Sequence, residues 1–203
     1  MTVKIAVFYY SATGNVHALA LALAEGAEKG GAEVRLRRVT ELALDAVVDT
    51  NPAWRAHLDA TRDVEVAALE DLEWADAYAF GTPTRYGNVA APLKQFIDST
   101  GGLWQQGAMA DKPVTGFTSA HNTHGGNEST LLALYNSFYH WGSLIVPPGY
   151  TDMSVYAAGG NPYGTAHPSA AGGPDDKGLH AARYQGERLA RTTRRLKGLV
   201  PQD

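Results

Sequence analysis

The sequence contains no cysteine in its 203 residues. Disulfides, cysteine–zinc sites and iron–sulfur clusters are therefore excluded, and any redox chemistry would need an organic cofactor. The formal net charge is only −4, which is not the basic footprint of a protein that binds nucleic acid or an anionic membrane. No apolar stretch approaches the length of a membrane helix, and the apolar run that begins at Val3 is too short for a secretory signal. We therefore expect a cytoplasmic protein that binds no nucleic acid.

A neutral loop, with neither lysine nor arginine, follows the first apolar run. Its backbone N–H groups and the positive end of the next helix would point at an anion, and its polar side chains could complete the hydrogen-bond shell. The lysine of G-x-x-x-x-G-K-[ST] and the three glycines of G-x-G-x-x-G are missing, so a single phosphomonoester is the anion that fits, and FMN is its obvious carrier. The alternative is that Ser11 or Thr13 only caps the helix. The loop comprises Ser11, Ala12, Thr13, Gly14, Asn15 and Val16.

Apolar runs alternate with helical patterns along the chain. Five strands separated by helices predict an open, doubly wound parallel sheet, because right-handed crossovers place helices on both faces. The predicted strands are residues 3–9, 33–39, 77–81, 113–119 and 143–146. The predicted helices are residues 17–29, 69–76, 89–100, 128–141 and 177–197.

Two stretches do not fit this alternation. Residues 40–62 have a poor pattern and predict a long connection that carries Trp54 on the surface or at a contact. Residues 147–176 are rich in glycine and proline and are too long for an ordinary connection, which indicates a functional lid or an assembly element. We therefore expect residues 1–203 to form a single domain with a loop insertion near residues 147–176.

Two more polar loops follow the third and fourth predicted strands. In an open parallel sheet the ligand lies outside the carboxyl ends of the strands, where these loops and the neutral loop would meet. A rigid proline, backbone N–H groups and an arginine suit a flat ring with polar edges, and Arg85 could stabilise negative charge on a reduced flavin. The alternative for the first loop is a simple turn with Tyr86 packed on a neighbour. The predicted contacts are Pro83, Thr84, Arg85, Tyr86, Gly87 and Asn88 in the first loop, and Ser119, Ala120, His121, Asn122, Thr123, His124 and Gly125 in the second.

Three histidines raise the question of a metal site. His121 and His124 stand three residues apart, and His140 follows. No acidic residue or second histidine pair has the spacing of a metal-ligand set, so no metal is expected.

Several motifs carry a resemblance that runs nearly end to end. They include Tyr-Tyr-Ser at residues 9–11, Gly-Thr-Pro-Thr-Arg-Tyr-Gly-Asn at 81–88, Thr-Gly-Gly-Leu-Trp at 100–104, Gly-Asn-Pro-Tyr-Gly at 160–164 and Ala-Arg-Tyr-Gln-Gly-Glu at 182–187. In these motifs the chain resembles the tryptophan-repressor-binding-protein (WrbA) family, which comprises flavodoxin-like NAD(P)H:quinone oxidoreductases that bind FMN.

The resemblance implies a flavodoxin-like three-layer α/β sandwich, with a five-stranded parallel sheet of order 2-1-3-4-5 and helices on both faces. It implies FMN contacts from residues 11–16, 84–86 and 119–125 and from His140. It also implies a nicotinamide contact at Thr13, where the family often has an aromatic residue, and a substrate-side aromatic at Trp104. The implied assembly is a homotetramer in which a neighbouring subunit completes each active site.

The expected reaction is a two-electron, ping-pong hydride transfer from NAD(P)H through bound FMN to a quinone. Arg85, His140, Trp104 and Tyr150 are the predicted catalytic residues. Two other classes stay open. A flavodoxin-type electron carrier would need a strongly acidic docking face, and a non-enzymatic regulatory binding protein would need no flavin.

Overall fold

The computed structural model describes residues 2–198. Its strands are β1 (Val3–Tyr9), β2 (Ala32–Arg38), β3 (Ala77–Arg85), β4 (Asn88–Val89), β5 (Pro113–Ala120), β6 (Leu144–Ile145) and β7 (Ala166–Pro168). Its α-helices are α1 (Asn15–Lys29), α2 (Asp45–Val48), α3 (Pro52–Ala60), α4 (Leu69–Trp74), α5 (Ala91–Asp98), α6 (Gly101–Gln105), α7 (Asn127–Trp141), α8 (Met153–Ala157) and α9 (Asp176–Lys197). A short 3₁₀ helix spans Ser169–Ala171.

The main sheet has the strand order β2-β1-β3-β5-β6, with parallel pairing throughout. Since β5 and β6 are the fourth and fifth predicted strands, the predicted order 2-1-3-4-5 is confirmed. The predicted number of five strands is wrong, because the described chain forms seven. Strand β4 pairs antiparallel with the end of β3, so the sheet is not wholly parallel, and β7 pairs parallel with the end of β5.

The additional strand β4 arises from a tight turn. Tyr86 and Gly87 have φ angles of 51° and 75°. Two consecutive residues with positive φ form the kind of two-residue turn that reverses a strand and matches its twist. Strand β3 therefore continues past Gly81, where the predicted strand ended, to Arg85 and folds back at this turn.

The glycine- and proline-rich segment interrupts the edge strand. Strand β6 pairs with Pro113 and Val114 at the start of β5, whereas β7 pairs with residues 118–120 at its end. Helix α8 lies between them in the chain, and the 3₁₀ helix follows β7. Residues 147–176 thus contain regular structure, and they return to the sheet at the carboxyl end of β5.

Two apolar clusters cover the two faces of the sheet. Residues Val3, Ile5 and Val7 of β1 belong to the cluster under α1 and α9, whereas Ala6 and Phe8 belong to the cluster under α5 and α7. This division follows from the alternation of side chains along a strand.

The connection between β2 and α4 is long, as predicted, and it contains α2 and α3, two helices that the sequence pattern did not indicate. The Asn51 side chain accepts hydrogen bonds from the N–H groups of Ala53 and Trp54 and caps α3. Arg55 of α3 binds the carboxylates of Asp45 at 2.5 Å and Asp49 at 2.6 Å. Helix α3 has no fully buried side chain, so these polar contacts fix its position. Because α3 buries no side chain fully, its sequence lacks the apolar periodicity from which a helix is predicted.

Candidate functional site

A cavity of about 330 Å³ opens at the carboxyl edge of the sheet. Parts of all three predicted loops line it, together with α3 and the 3₁₀ helix. The lining residues are Ser11, Ala12, Thr13, Asn15, Val16, Asn51, Trp54, Pro83, Thr84, Arg85, Ser119, Ala120, His121 and Ser169. This juxtaposition agrees with the rule that places ligands at this edge of an open α/β sheet.

The loop after β1 leaves the first turn of α1 open to an anion. Gly14 is the N-cap of α1 and has a φ of 98°, a conformation that L side chains rarely adopt. Its N–H group donates to the Ser11 hydroxyl at 3.1 Å, which closes the loop. Within residues 2–198, no side chain caps this helix, and its first turn carries no acidic residue. The structure therefore does not support the alternative in which Ser11 or Thr13 only caps α1.

The end of β3, which the sequence analysis assigned to a loop, is anchored by threonines and presents Arg85. The Thr118 hydroxyl donates to the carbonyl oxygen of Thr82 at 2.7 Å, and the Thr82 hydroxyl accepts from the N–H group of Ala90 at 3.0 Å. The exposed guanidinium of Arg85 donates to the carbonyl oxygen of Thr84 at 3.0 Å. Tyr86 is fully exposed, so the alternative in which its ring packs on a neighbour does not apply.

The loop after β5 is held by the segment that interrupts the edge strand. The Ser119 hydroxyl donates to the carbonyl oxygen of His167 at 2.9 Å. The carbonyl oxygen of His121 accepts from the N–H group of Ala170 at 2.9 Å. Ser169, which the sequence analysis missed, reaches the cavity through this contact because the 3₁₀ helix docks on the loop.

The other predicted cofactor contacts lie near the cavity without lining it. Gly14 shapes the first loop, and the others follow the lining residues Arg85 and His121 in the chain. The residues concerned are Gly14, Tyr86, Gly87, Asn88, Asn122, Thr123, His124 and Gly125. Their assignment as FMN contacts stays a prediction.

Three predicted catalytic residues lie outside the cavity in the described chain. The Trp104 indole N–H donates to the carbonyl oxygen of His140 at 2.8 Å, and both residues line a separate surface groove beside α5, α6 and α7. The Tyr150 hydroxyl donates to the carbonyl oxygen of Gly160 at 3.0 Å, and its ring stacks on Tyr156. Only Arg85 of the predicted catalytic set lines the cavity, and the roles of the other three stay predictions.

Glu41 connects the core to the cavity wall. Its carboxylate accepts from the Tyr10 hydroxyl at 2.8 Å and from the Trp54 indole N–H at 2.9 Å. Burial, together with this hydrogen bond, raises the pKa of the Tyr10 hydroxyl. Trp54 is half-buried at a contact, which confirms one of the two predicted placements, but its role in the cavity was missed.

A Tyr9–His17–His57 cluster lies beside the first loop. His17 Nδ1 stands 2.6 Å from the Tyr9 hydroxyl, and the His17 and His57 ring centroids are 5.3 Å apart. Burial lowers the pKa of His17, and burial and the neighbouring His17 together lower the pKa of His57 to about 4. Burial also raises the pKa of the Tyr9 hydroxyl to about 12. These shifts favour the uncharged form of all three side chains at neutral pH.

A family model described as NADPH-dependent FMN reductase matches residues 3–157. The chain belongs to this family. Among curated relatives, a protein of Deinococcus radiodurans named NAD(P)H dehydrogenase (quinone) is 44% identical over 197 residues, which cover 97% of this chain and 98% of the relative. A protein of Sinorhizobium fredii with the same name is 40% identical over 200 residues, which cover 95% of this chain and 98% of the relative.

A solved structure supports the same assignment. A flavodoxin from Agrobacterium tumefaciens described as WrbA-like has a TM-score of 0.70 and 25% identity, and the match covers 96% of this chain and 99% of that chain. The predicted resemblance to the WrbA family and the predicted flavodoxin-like fold are confirmed. This member of the FMN reductase family is an oxidoreductase, and FMN is the cofactor that its family and fold imply.

The cavity fits FMN in chemistry and in size. The uncapped first turn of α1, without an acidic residue, suits a phosphate, and the hydroxyls of Ser11 and Thr13 stand beside it. Arg85 lies in the next loop along the sheet, and the volume of about 330 Å³ is near the lower end of the usual range for small-molecule pockets. Among the residues that the structure describes, no group of three His, Cys, Asp or Glu is placed to hold a metal ion, and no helix is both long and apolar enough to cross a membrane.

Proposed function

We propose that the protein is an FMN-dependent NAD(P)H:quinone oxidoreductase that works by a ping-pong sequence. The observation that carries this proposal is the cavity in which the uncapped N-terminus of α1, the end of β3 and the end of β5 with the start of its following loop meet. The names of the relatives from Deinococcus radiodurans and Sinorhizobium fredii support the choice of substrates.

The residues of this chain would hold the cofactor and tune its charge. FMN, when bound, would supply the hydride chemistry between NAD(P)H and the quinone. The first turn of α1, with the Ser11 and Thr13 hydroxyls, binds the phosphate, while the rigid loop at Pro83 and Thr84 orients the ring. Arg85 stabilises negative charge that develops on the reduced cofactor, because its guanidinium is a cationic hydrogen-bond donor at the cavity.

The sequence pattern supports the ping-pong part of the proposal. No dinucleotide fingerprint follows the first strand, so we expect NAD(P)H to bind weakly and transiently. The nicotinamide and the quinone would therefore occupy the same exposed side of the cavity in turn. We also propose that Trp104 and His140, which lie together outside their own cavity, complete the cavity of a neighbouring subunit in a homotetramer.

Steady-state kinetics of the FMN-reconstituted chain test this function. Turnover of NADH or NADPH with a simple quinone and no protein partner is expected, with parallel lines in double-reciprocal plots at several quinone concentrations. Apoprotein is the matched control and should be inactive. Flavin that binds and is reduced only through a second redox protein would favour the electron carrier instead. A chain that binds no FMN on reconstitution would favour a non-enzymatic binding protein.

A further inference from the structure

Helix α3 presents one face to the phosphate-binding loop. Its N-cap Asn51 and its residue Trp54 line the cavity beside Ser11, Thr13 and Asn15. His57 follows three residues after Trp54 on the same face. Its Nδ1 atom lies 3.5 Å from the place where a Cβ on Gly14 would stand. The α3 wall, defined by Asn51, Trp54 and His57, therefore runs along the side of the loop that is expected to bind phosphate.

Polar contacts on both sides hold the α3 wall in place. Glu41 accepts from the Trp54 indole N–H at 2.9 Å, and its other carboxylate oxygen accepts from the N–H groups of Leu42 and Ala43 at 2.8 and 2.9 Å. Trp54 also packs against the buried apolar cluster on this side of the sheet. Arg55 does not line the cavity and is paired with Asp45 and Asp49, whose carboxylates balance its charge. The α3 wall is therefore held in one position, and none of its three side chains is a lysine or arginine that could bind the second phosphate of FAD.

We propose that the α3 wall closes the phosphate end of the cavity and thereby selects FMN against FAD. The inference rests on the proposed function, because it concerns the flavin that this enzyme would hold. FAD carries a second phosphate and an adenosine beyond the phosphate that FMN ends with. With the first phosphate at the N-terminus of α1, these groups would meet the Trp54 ring, which lines the cavity. The small cavity volume, about 330 Å³, agrees with the shorter cofactor.

Trp54→Ala tests the wall directly. The dissociation constants of FMN and FAD are measured by flavin titration of the full-length apoprotein. The expected result is that the ratio of the FAD constant to the FMN constant falls at least about tenfold relative to the wild type, mainly through tighter FAD binding, because the obstructing ring is gone. Trp74→Ala is the matched control. Trp74 contacts Lys4 and Arg35 near the amino edge of the sheet, and its removal should leave the ratio unchanged.

A second variant tests the wall without removing a side chain on which the folding of α3 depends. Aspartate at position 51 can still cap the helix, so Asn51→Asp keeps the fold but adds a negative charge beside the phosphate. FMN binding should weaken by about tenfold, whereas riboflavin, which has no phosphate, should bind within about twofold of its wild-type constant. Trp54→Phe keeps a ring at the wall and should retain most of the discrimination against FAD.

The outcomes separate the inference from the function on which it rests. A wild-type chain that binds FMN and reduces quinones, with an unchanged FAD-to-FMN ratio in Trp54→Ala, would overturn only the α3 wall. Equal weakening of FMN and riboflavin by Asn51→Asp would overturn it as well. A wild-type chain that binds neither flavin would overturn the proposed function and the inference together.

Discussion

At the scale of single residues, Thr13 is the most direct probe of the phosphate site. Its side chain is exposed at the cavity, and it precedes the glycine that begins α1. Thr13→Glu places a carboxylate where the phosphate is expected, so like charges repel and FMN affinity should fall at least tenfold, or about 1.4 kcal/mol. Thr13→Ser is the control and should bind FMN normally. Fluorescence titration gives both constants, and an unchanged constant for the glutamate variant would place the phosphate elsewhere.

Arg85 should matter more for turnover than for binding. Arg85 lines the cavity and its side chain is exposed, so it contributes little to the fold, and we have proposed that it stabilises the charge that develops on the reduced cofactor. Arg85→Ala should lower quinone turnover by about tenfold and change the FMN dissociation constant by less than about threefold, since its stabilisation grows with that charge. Redox titration of Arg85→Ala should show a more negative flavin midpoint potential than that of the wild type. Arg85→Lys should bring the midpoint potential part of the way back to the wild-type value. A variant whose midpoint potential and turnover both match the wild type would make Arg85 a surface residue.

His57 makes the folded apoprotein sensitive to acid. The pKa of His57 is lowered from 6.5 to about 4 by burial and by His17. Between these values the unfolded chain binds a proton that the folded chain does not, so stability is lost as the pH falls from about 6.5 to about 4. The thermal midpoint of His57→Gln should therefore fall less over this range than that of the wild type. His124→Gln removes an exposed histidine and should keep the wild-type pH dependence, whereas identical pH profiles for His57→Gln and the wild type would contradict the assignment.

At the scale of the elements, the contact between α1 and α9 depends on glycine. A Cβ on Gly186 of α9 would stand 2.0 Å from the carbonyl oxygen of Leu23 in α1, and a Cβ on Gly26 would stand 1.9 Å from the carbonyl oxygen of Arg183. Both obstacles are backbone atoms, so the helices must separate if either glycine gains a side chain. Gly186→Ala should therefore destabilise the fold by about 3 kcal/mol.

Chemical denaturation measures this effect, and α9 supplies its own control. A Cβ on Gly178 would meet its nearest atom, the Asp175 carboxylate, at 3.4 Å, which is an ordinary contact. Gly178→Ala should leave stability unchanged or raise it slightly, because alanine restricts the unfolded chain. Equal midpoints for the two variants would show that the helices can move apart without loss.

At the scale of the whole molecule, exposed aromatic and apolar residues predict self-association. Trp104, Tyr150, Met153 and Tyr156 are each more than half exposed, with relative accessible surfaces of 54%, 56%, 76% and 52%. Exposed apolar patches usually mark interfaces, and closed symmetry would repeat each contact in every subunit. We expect a homotetramer in which Trp104 reaches a neighbour's cavity.

Light scattering over a dilution series measures the oligomeric state, and subunit mixing tests whether one active site uses two subunits. Thr13→Glu should disable the FMN site of its own subunit, whereas Trp104→Ala should disable a neighbour's site. At an FMN concentration near the wild-type dissociation constant, each variant alone should show little turnover, and mixed oligomers should regain part of it, because some sites then combine two intact halves. A monomer that keeps full activity at the lowest concentration would contradict the shared site.

The sequence determined the order of the main strands, the helices with strong apolar patterns, and the three loops that carry the site. These features depend on local periodicity and on glycine and hydroxyl residues at the ends of strands, which can be read without long-range contacts. The neutral loop at residues 11–16 already indicated a single phosphate, and the structure places five of its six residues on the cavity.

Only the tertiary structure decided how the cavity is closed. Helix α3 has no fully buried side chain and is held by Glu41 and Arg55, whose partners lie 4 to 31 residues away in sequence. Ser169 reaches the site because β7 pairs with β5 across a long separation in the chain. Conversely, Trp104, His140 and Tyr150 share motifs with the family but lie outside the cavity of their own chain. Side-chain hydrogen bonds and strand pairings of this kind leave no periodic signal, so a single sequence shows which residues are present but not which of them meet.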